Sequence, residues 1–133
     1  MSAVVDASLL VAATSDTGVE GRWAEDVVQA GGLVAPHLAL VEATNILRRL
    51  ELLGRLGRLE ASAGARDLLQ LDLELVPFTP FAERIWELRA NVTSYDAWYV
   101  AVAEQFDLPL ATLDQRLARA TGPRCRFLLP PLS

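Results

Sequence analysis

Short apolar runs recur along this chain, with longer stretches of helical periodicity between them. Val4-Val5, Leu33-Val34-Ala35, Glu74 to Phe78, Pro109 to Thr112 and Arg126 to Leu129 have strand length and strand-like make-up. The intervening helices are expected at Ala7 to Ala13, Val19 to Ala30, His37 to Leu53, Leu59 to Leu73, Pro80 to about Asn91, Tyr95 to Phe106 and Asp114 to Ala120. Punctuation agrees with this division. Gly31-Gly32 stops one helix, Gly54 another, and Pro80 suits a first turn. Strands alternating with helices imply βαβ units: a three-layer α/β arrangement whose central, mainly parallel sheet of four to five strands is flanked by helices. Ligands of such sheets bind in the crevice outside the carboxyl ends of the strands.

Acidic residues fall where that crevice should be. Asp6 ends the first apolar run and Asp114 follows Leu110-Ala111-Thr112-Leu113, while Asp96 opens the apolar helix Ala97 to Ala103. Glu42 lies inside the apolar helical segment Leu38 to Leu47. Each aspartate has a plain alternative role as a helix cap: Asp6 before Ala7, Asp114 before Gln115, and Asp96 in the capping pattern Thr93-Ser94-Tyr95-Asp96. Glu42 has no such explanation. Its helical neighbours include Leu38, Ala39 and Ile46, and Asn45 is the only nearby polar side chain on that face. An unpaired buried carboxylate costs on the order of several kcal/mol, so Glu42 calls for a cation or a strong donor. Four carboxylates in one crevice repel one another, and hard divalent cations prefer oxygen ligands. The pattern therefore points to a Mg²⁺- or Mn²⁺-dependent enzyme acting on phosphodiesters, with Asp6, Glu42, Asp96 and Asp114 as metal ligands and catalytic groups.

Composition sets outer bounds. At 133 residues and 52% hydrophobic content, the chain suffices for one compact domain over 1–133, without a repeat or low-complexity tract. Cys125 is the only cysteine, which suits a reducing compartment and a buried apolar role. No basic residue precedes the first apolar stretch and Asp6 interrupts it, so neither a signal peptide nor a membrane span is expected, and the expected location is cytoplasmic. A net charge of −5 is unusual for a nucleic-acid binder. Setting aside the four proposed ligands leaves about −1, and bound cations would cancel them locally. All twelve cationic residues are arginine, the side chain best suited to bidentate contact with phosphate.

Other acid-rich α/β classes fit poorly. A receiver domain needs a lysine and a P-loop needs Gly-Lys-Ser/Thr, and the sequence has neither. A haloacid-dehalogenase-type phosphatase needs Asp-x-Asp, where Asp6-Ala7-Ser8 stands. Gly54-Arg55-Leu56-Gly57 is better explained as a helix-to-helix turn than as a KH-type loop.

Four segments together resemble PIN domains: Val4-Val5-Asp6-Ala7-Ser8, Pro36-His37-Leu38 through Glu42 to Leu50, Tyr95 to Glu104, and Leu110 to Leu117. Their order and spacing fit across essentially the whole chain, and the likeness is greatest to the VapC toxins of bacterial toxin–antitoxin pairs. The resemblance implies a divalent-metal endoribonuclease that forms a homodimer, cleaves RNA and is inhibited by a cognate VapB-type antitoxin lying along the groove near the acids. It implies Asp6 and Asp96 as the foremost direct ligands. Thr112 would orient the carboxylate of Asp114, and Ser8 and Asn45 would support the ligands, with a local helix-start hydrogen bond an equally good role for Ser8. Arg48, Arg49, Arg55 and Arg58 cluster around one helix end as candidates for RNA phosphate contact; their plain alternative is a solvated face, with Arg48 pairing Glu51 or Glu42. Trp98 and Tyr99 are expected to pack in the core or at a dimer contact. Two other readings remain: a non-catalytic domain whose acidic groove binds a basic peptide, and a PIN nuclease of RNA processing or DNA repair.

Overall fold

The computed structural model describes residues 2–132. Five strands form one parallel sheet: β1 (Ala3–Val5), β2 (Leu33–Pro36), β3 (Leu73–Val76), β4 (Leu110–Ala111) and β5 (Phe127–Leu128). They lie in the order β3-β2-β1-β4-β5, with Val4 opposite both Val34 and Leu110. All three residues of β1 are buried, so the middle of the sheet is covered on both faces, as parallel sheets require.

Among the described residues, seven α-helices accompany the strands: α1 (Ala7–Ser15), α2 (Val19–Ala30), α3 (Ala39–Leu52), α4 (Arg58–Gln70), α5 (Ala82–Glu87), α6 (Ser94–Phe106) and α7 (Gln115–Ala118). Helices α1, α2, α3 and α4 pack on one another, whereas α6 lies against β1, β2 and β4 with α5 beside it. Helix α6 is the most deeply set: Ala97 and Tyr99 through Ala103 are all buried.

Two boundaries differ from the sequence expectation. The apolar run from Leu59 is not helical to Leu73; α4 ends at Gln70, and Leu73 instead pairs with Leu33 as the first residue of β3. Helical spacing and strand alternation share leucines here, and the ladder with β2 decides between them. The helix from Pro80 also does not reach Asn91. A 3-10 turn, Thr79–Phe81, leads into the six-residue α5. Beyond it the backbone tightens: the Arg89 and Asn91 N–H groups donate to the carbonyls of Trp86 and Leu88, three residues back, at 3.2 and 3.1 Å.

The chain runs outward from β1 to β2 and β3, then crosses to β4 and β5 on the other side. The direction of winding therefore changes between β1 and β4. A crevice opens at the carboxyl ends of strands at such a switch point.

Candidate active site

Each of the four predicted acids stands at or within the first turns of a helix. Asp6 and Asp114 are the N-caps of α1 and α7, Glu42 is the fourth residue of α3, and Asp96 the third of α6. Helix N-termini carry partial positive charge, which eases the gathering of carboxylates. All four line one cleft of about 300 Å³, together with Ser8, Asn45, Ile46, Arg49 and Tyr99.

Asp6 is the best anchored. Its Oδ1 accepts hydrogen bonds from Ser8 Oγ at 2.6 Å and the Leu9 N–H at 3.0 Å, and its Oδ2 accepts from Thr112 Oγ1. Burial raises its pKa above the ordinary carboxylate value; these donors oppose the rise and the charge of Asp96 adds to it. One carboxylate thus both caps α1 and lines the cleft.

Thr112 departs from its expected role. Its hydroxyl does not hold the Asp114 carboxylate; it donates to Asp6 across 106 residues of sequence and accepts the Asp114 backbone N–H at 3.0 Å. The parallel pairing of β1 with β4 puts Val5 opposite Ala111, which brings the next residues, Asp6 and Thr112, together. Asp114 instead caps α7, its Oδ1 accepting from the N–H groups of Arg116 and Leu117 at 3.0 and 3.1 Å. Ser8 joins two segments: beside its bond to Asp6, its Oγ accepts from the Leu113 N–H at 3.2 Å.

Glu42 and Asp96 face the same cleft from α3 and α6. Burial raises the pKa of each; the nearby Asp96 charge adds to the rise at Glu42, and the Asp114 charge to that at Asp96. Thr93 caps α6, accepting the Asp96 N–H at 3.2 Å, so the capping pattern is present and leaves the Asp96 carboxylate lining the cleft. The strong donor that Glu42 called for is Tyr99, whose hydroxyl donates to Oε1 at 2.6 Å. Sequence reasoning placed Tyr99 in the core or at a dimer contact; it is buried in the core, and its bond to Glu42 was missed. The available signal was its position three residues after Asp96, on the same side of α6. Arg116, whose charge opposes the rise at Asp96, was missed as well.

The four arginines separate. Arg49 lines the acidic cleft, and Arg55 lines an adjoining hollow that shares Ser8 with it. Arg48 and Arg58 are exposed and line neither. Among the described residues the ion pairs are those of Arg84 with Glu87 and Glu104, so Arg48 pairs with neither Glu42 nor Glu51.

An all-oxygen donor set of mutually repelling carboxylates suits a hard divalent cation. Among the described residues, no three acids, histidines or cysteines stand close enough to grip one ion with their side chains as placed. Closing on an ion therefore requires side-chain rotation within the cleft.

Comparison with known proteins shows the family. A sequence profile of the PIN domain matches residues 3–123. The chain belongs to the PIN-domain family. Ribonuclease VapC9 of Mycobacterium tuberculosis is 37% identical over 128 residues, covering 96% of this chain and 98% of VapC9. Among solved structures, a Pyrobaculum aerophilum protein superposes with a TM-score of 0.67 at 28% identity, over 90% of this chain and 78% of its own. VapBC2 from Rickettsia felis, bound to a DNA fragment from its promoter, has a TM-score of 0.65 over 98% of this chain and 100% of that one. At 14% identity that last likeness speaks for the fold alone.

Proposed function

We propose that this protein is an endoribonuclease toxin of the VapC type, acting as one PIN unit over 1–133 in the cytoplasm and restrained by a VapB-type antitoxin. Its cleft would hold Mg²⁺ or Mn²⁺ through Asp6, Glu42, Asp96 and Asp114. One observation carries this reading: carboxylates from four separate segments line a single cleft at the switch point of the sheet, beside one arginine. Structural capping accounts for Asp6 and Asp114 but gives no reason for Glu42 and Asp96 to face them. Relatives named as ribonucleases along nearly their full length supply the substrate class.

Bound there, a divalent ion supplies charge neutralisation at the phosphate and a water activated as nucleophile. The chain's own residues do the rest. Ser8 and Thr112 fix both oxygens of Asp6, so its carboxylate needs little reordering to act. Arg49, the one cation lining the cleft among the described residues, would contact a phosphate oxygen as the RNA backbone enters. Asn45, exposed one turn beyond Glu42, offers a neutral donor at the same wall.

The deciding experiment is incubation of total cellular RNA with purified, antitoxin-free protein in Mg²⁺, Mn²⁺ or EDTA, alongside Asp96→Asn. Discrete fragments that need the metal and vanish in the variant are expected. A folded wild-type protein that cleaves nothing in either metal would overturn the nuclease reading and favour an acidic groove that only binds a basic peptide.

A further inference from the structure

Tyr99 is the one aromatic residue of the cleft, yet it is only 3% exposed. A buried phenol hydroxyl must find a partner, and this one donates to Glu42 Oε1 at 2.6 Å. The bond joins α6 to α3, 57 residues apart in sequence. It lies one helical turn from Asp96, so the same stretch of α6 carries one acid and holds a second. One hydroxyl thereby reaches the first turn of α3 from its own place on α6.

Glu42 needs such a restraint. It has three rotatable side-chain bonds, a half-buried carboxylate and the repelling charge of Asp96 nearby. Left free, it would swing away from Asp96 toward solvent. Asp6 is fixed by Ser8 and Thr112; for Glu42, Tyr99 is the hydrogen-bonding partner the structure provides. We propose that Tyr99 is a positioning residue of the metal site: its buried hydroxyl takes one oxygen of Glu42 and thereby holds the carboxylate in the cleft opposite Asp96. This rests on the reading of the cleft as a divalent-cation site.

The test is a double-mutant cycle on the full chain, with Mn²⁺ binding to metal-free protein followed by titration calorimetry. The variants are Tyr99→Phe, which keeps the ring, Glu42→Ala, and the two combined. Expected is a loss of about 10- to 100-fold in Mn²⁺ affinity for Tyr99→Phe, the scale on which groups that orient metal ligands act. In the Glu42→Ala background, Tyr99→Phe should cost no further affinity. Wild-type affinity in Tyr99→Phe with a clear loss in Glu42→Ala would overturn the role of Tyr99 and leave the metal site standing. Equal losses from Tyr99→Phe with and without Glu42 would make its effect a general packing one, which also overturns the proposal. If wild-type protein binds no Mn²⁺, the reading of the cleft fails first, and this inference falls with it.

Discussion

Asp6 shows how much one side chain carries here. It starts α1, receives two hydroxyls and a backbone N–H, and lines the cleft. Asp96 is freer, because its cap is supplied by Thr93. Asp96→Asn should therefore leave the fold intact while lowering RNA cleavage by about a hundredfold or more, the scale of losing one group that stabilises transition-state charge. Circular dichroism and cleavage rates on the same preparation would check both halves. Thr112 is fully buried and bonds in two directions. Thr112→Val conserves its shape but strips the Asp6 donor and orphans the Asp114 N–H. A loss of about 1–3 kcal/mol in urea-unfolding free energy is expected; unchanged stability would show that those bonds are replaceable by water.

Among the elements, the helix starts matter most. Helices α1, α3, α6 and α7 each bring an acid to the cleft by their first turns, so tilting one displaces a carboxylate from it. The α1–α2 junction has little tolerance. Gly21 lies in the first turn of α2, and a Cβ there would stand 1.8 Å from the Asp16 carbonyl oxygen, a backbone atom that cannot rotate away. Gly21→Ala should destabilise the protein by about 1–3 kcal/mol through overpacking. The urea midpoint would fall with little change in the slope of the transition. On the far side, Arg84 clasps Glu104 through Nε at 2.7 Å and its second amine at 3.1 Å, and also donates to the Gly122 carbonyl. With the Arg124 N–H on the same carboxylate, this ties the segment before β5 to α5 and α6.

For the whole molecule, the acids make stability depend on pH and, on the proposed reading of the cleft, on a divalent cation. Burial raises the pKa of Asp6, Glu42 and Asp96 in the folded state. Each then binds its proton more tightly folded than unfolded, so its contribution is full below the ordinary carboxylate value and is lost as pH rises through the raised one. Glu104 has the opposite sign: burial would raise it, but Arg84 and the Arg124 N–H outweigh that and lower it. Its contribution fades only as pH falls below the ordinary range, outside the window set by the site acids. In EDTA, Tm should rise as pH is lowered from about 7 to about 5. Mn²⁺ should raise Tm more at the higher pH, since protons and the cation compete for the same oxygens. A Tm increment from Mn²⁺ that is equal at both pH values would count against binding at these carboxylates.

Much of this protein could be read in its sequence, for local reasons. Strands such as Val4-Val5 and helices such as Val19 to Ala30 follow from periodicity and from glycine or proline punctuation, which neighbours in sequence set. The four acids stood out because their surroundings are apolar, and the carboxyl ends of parallel strands are where crevices form. Helix ends were less legible wherever tertiary pairing competed with local spacing, as when β2 claimed Leu73 for its ladder. The support of the site was not local at all. Thr112 reaches Asp6 only because β4 lies beside β1, and Tyr99 reaches Glu42 only because α6 packs next to the start of α3. The sequence by itself determined which elements form and which carboxylates must answer for their burial, since both depend on residues a few positions away. The tertiary structure alone decided the strand order, the partners of those carboxylates and which arginine shares their cleft, since these are contacts between segments that no short-range pattern encodes.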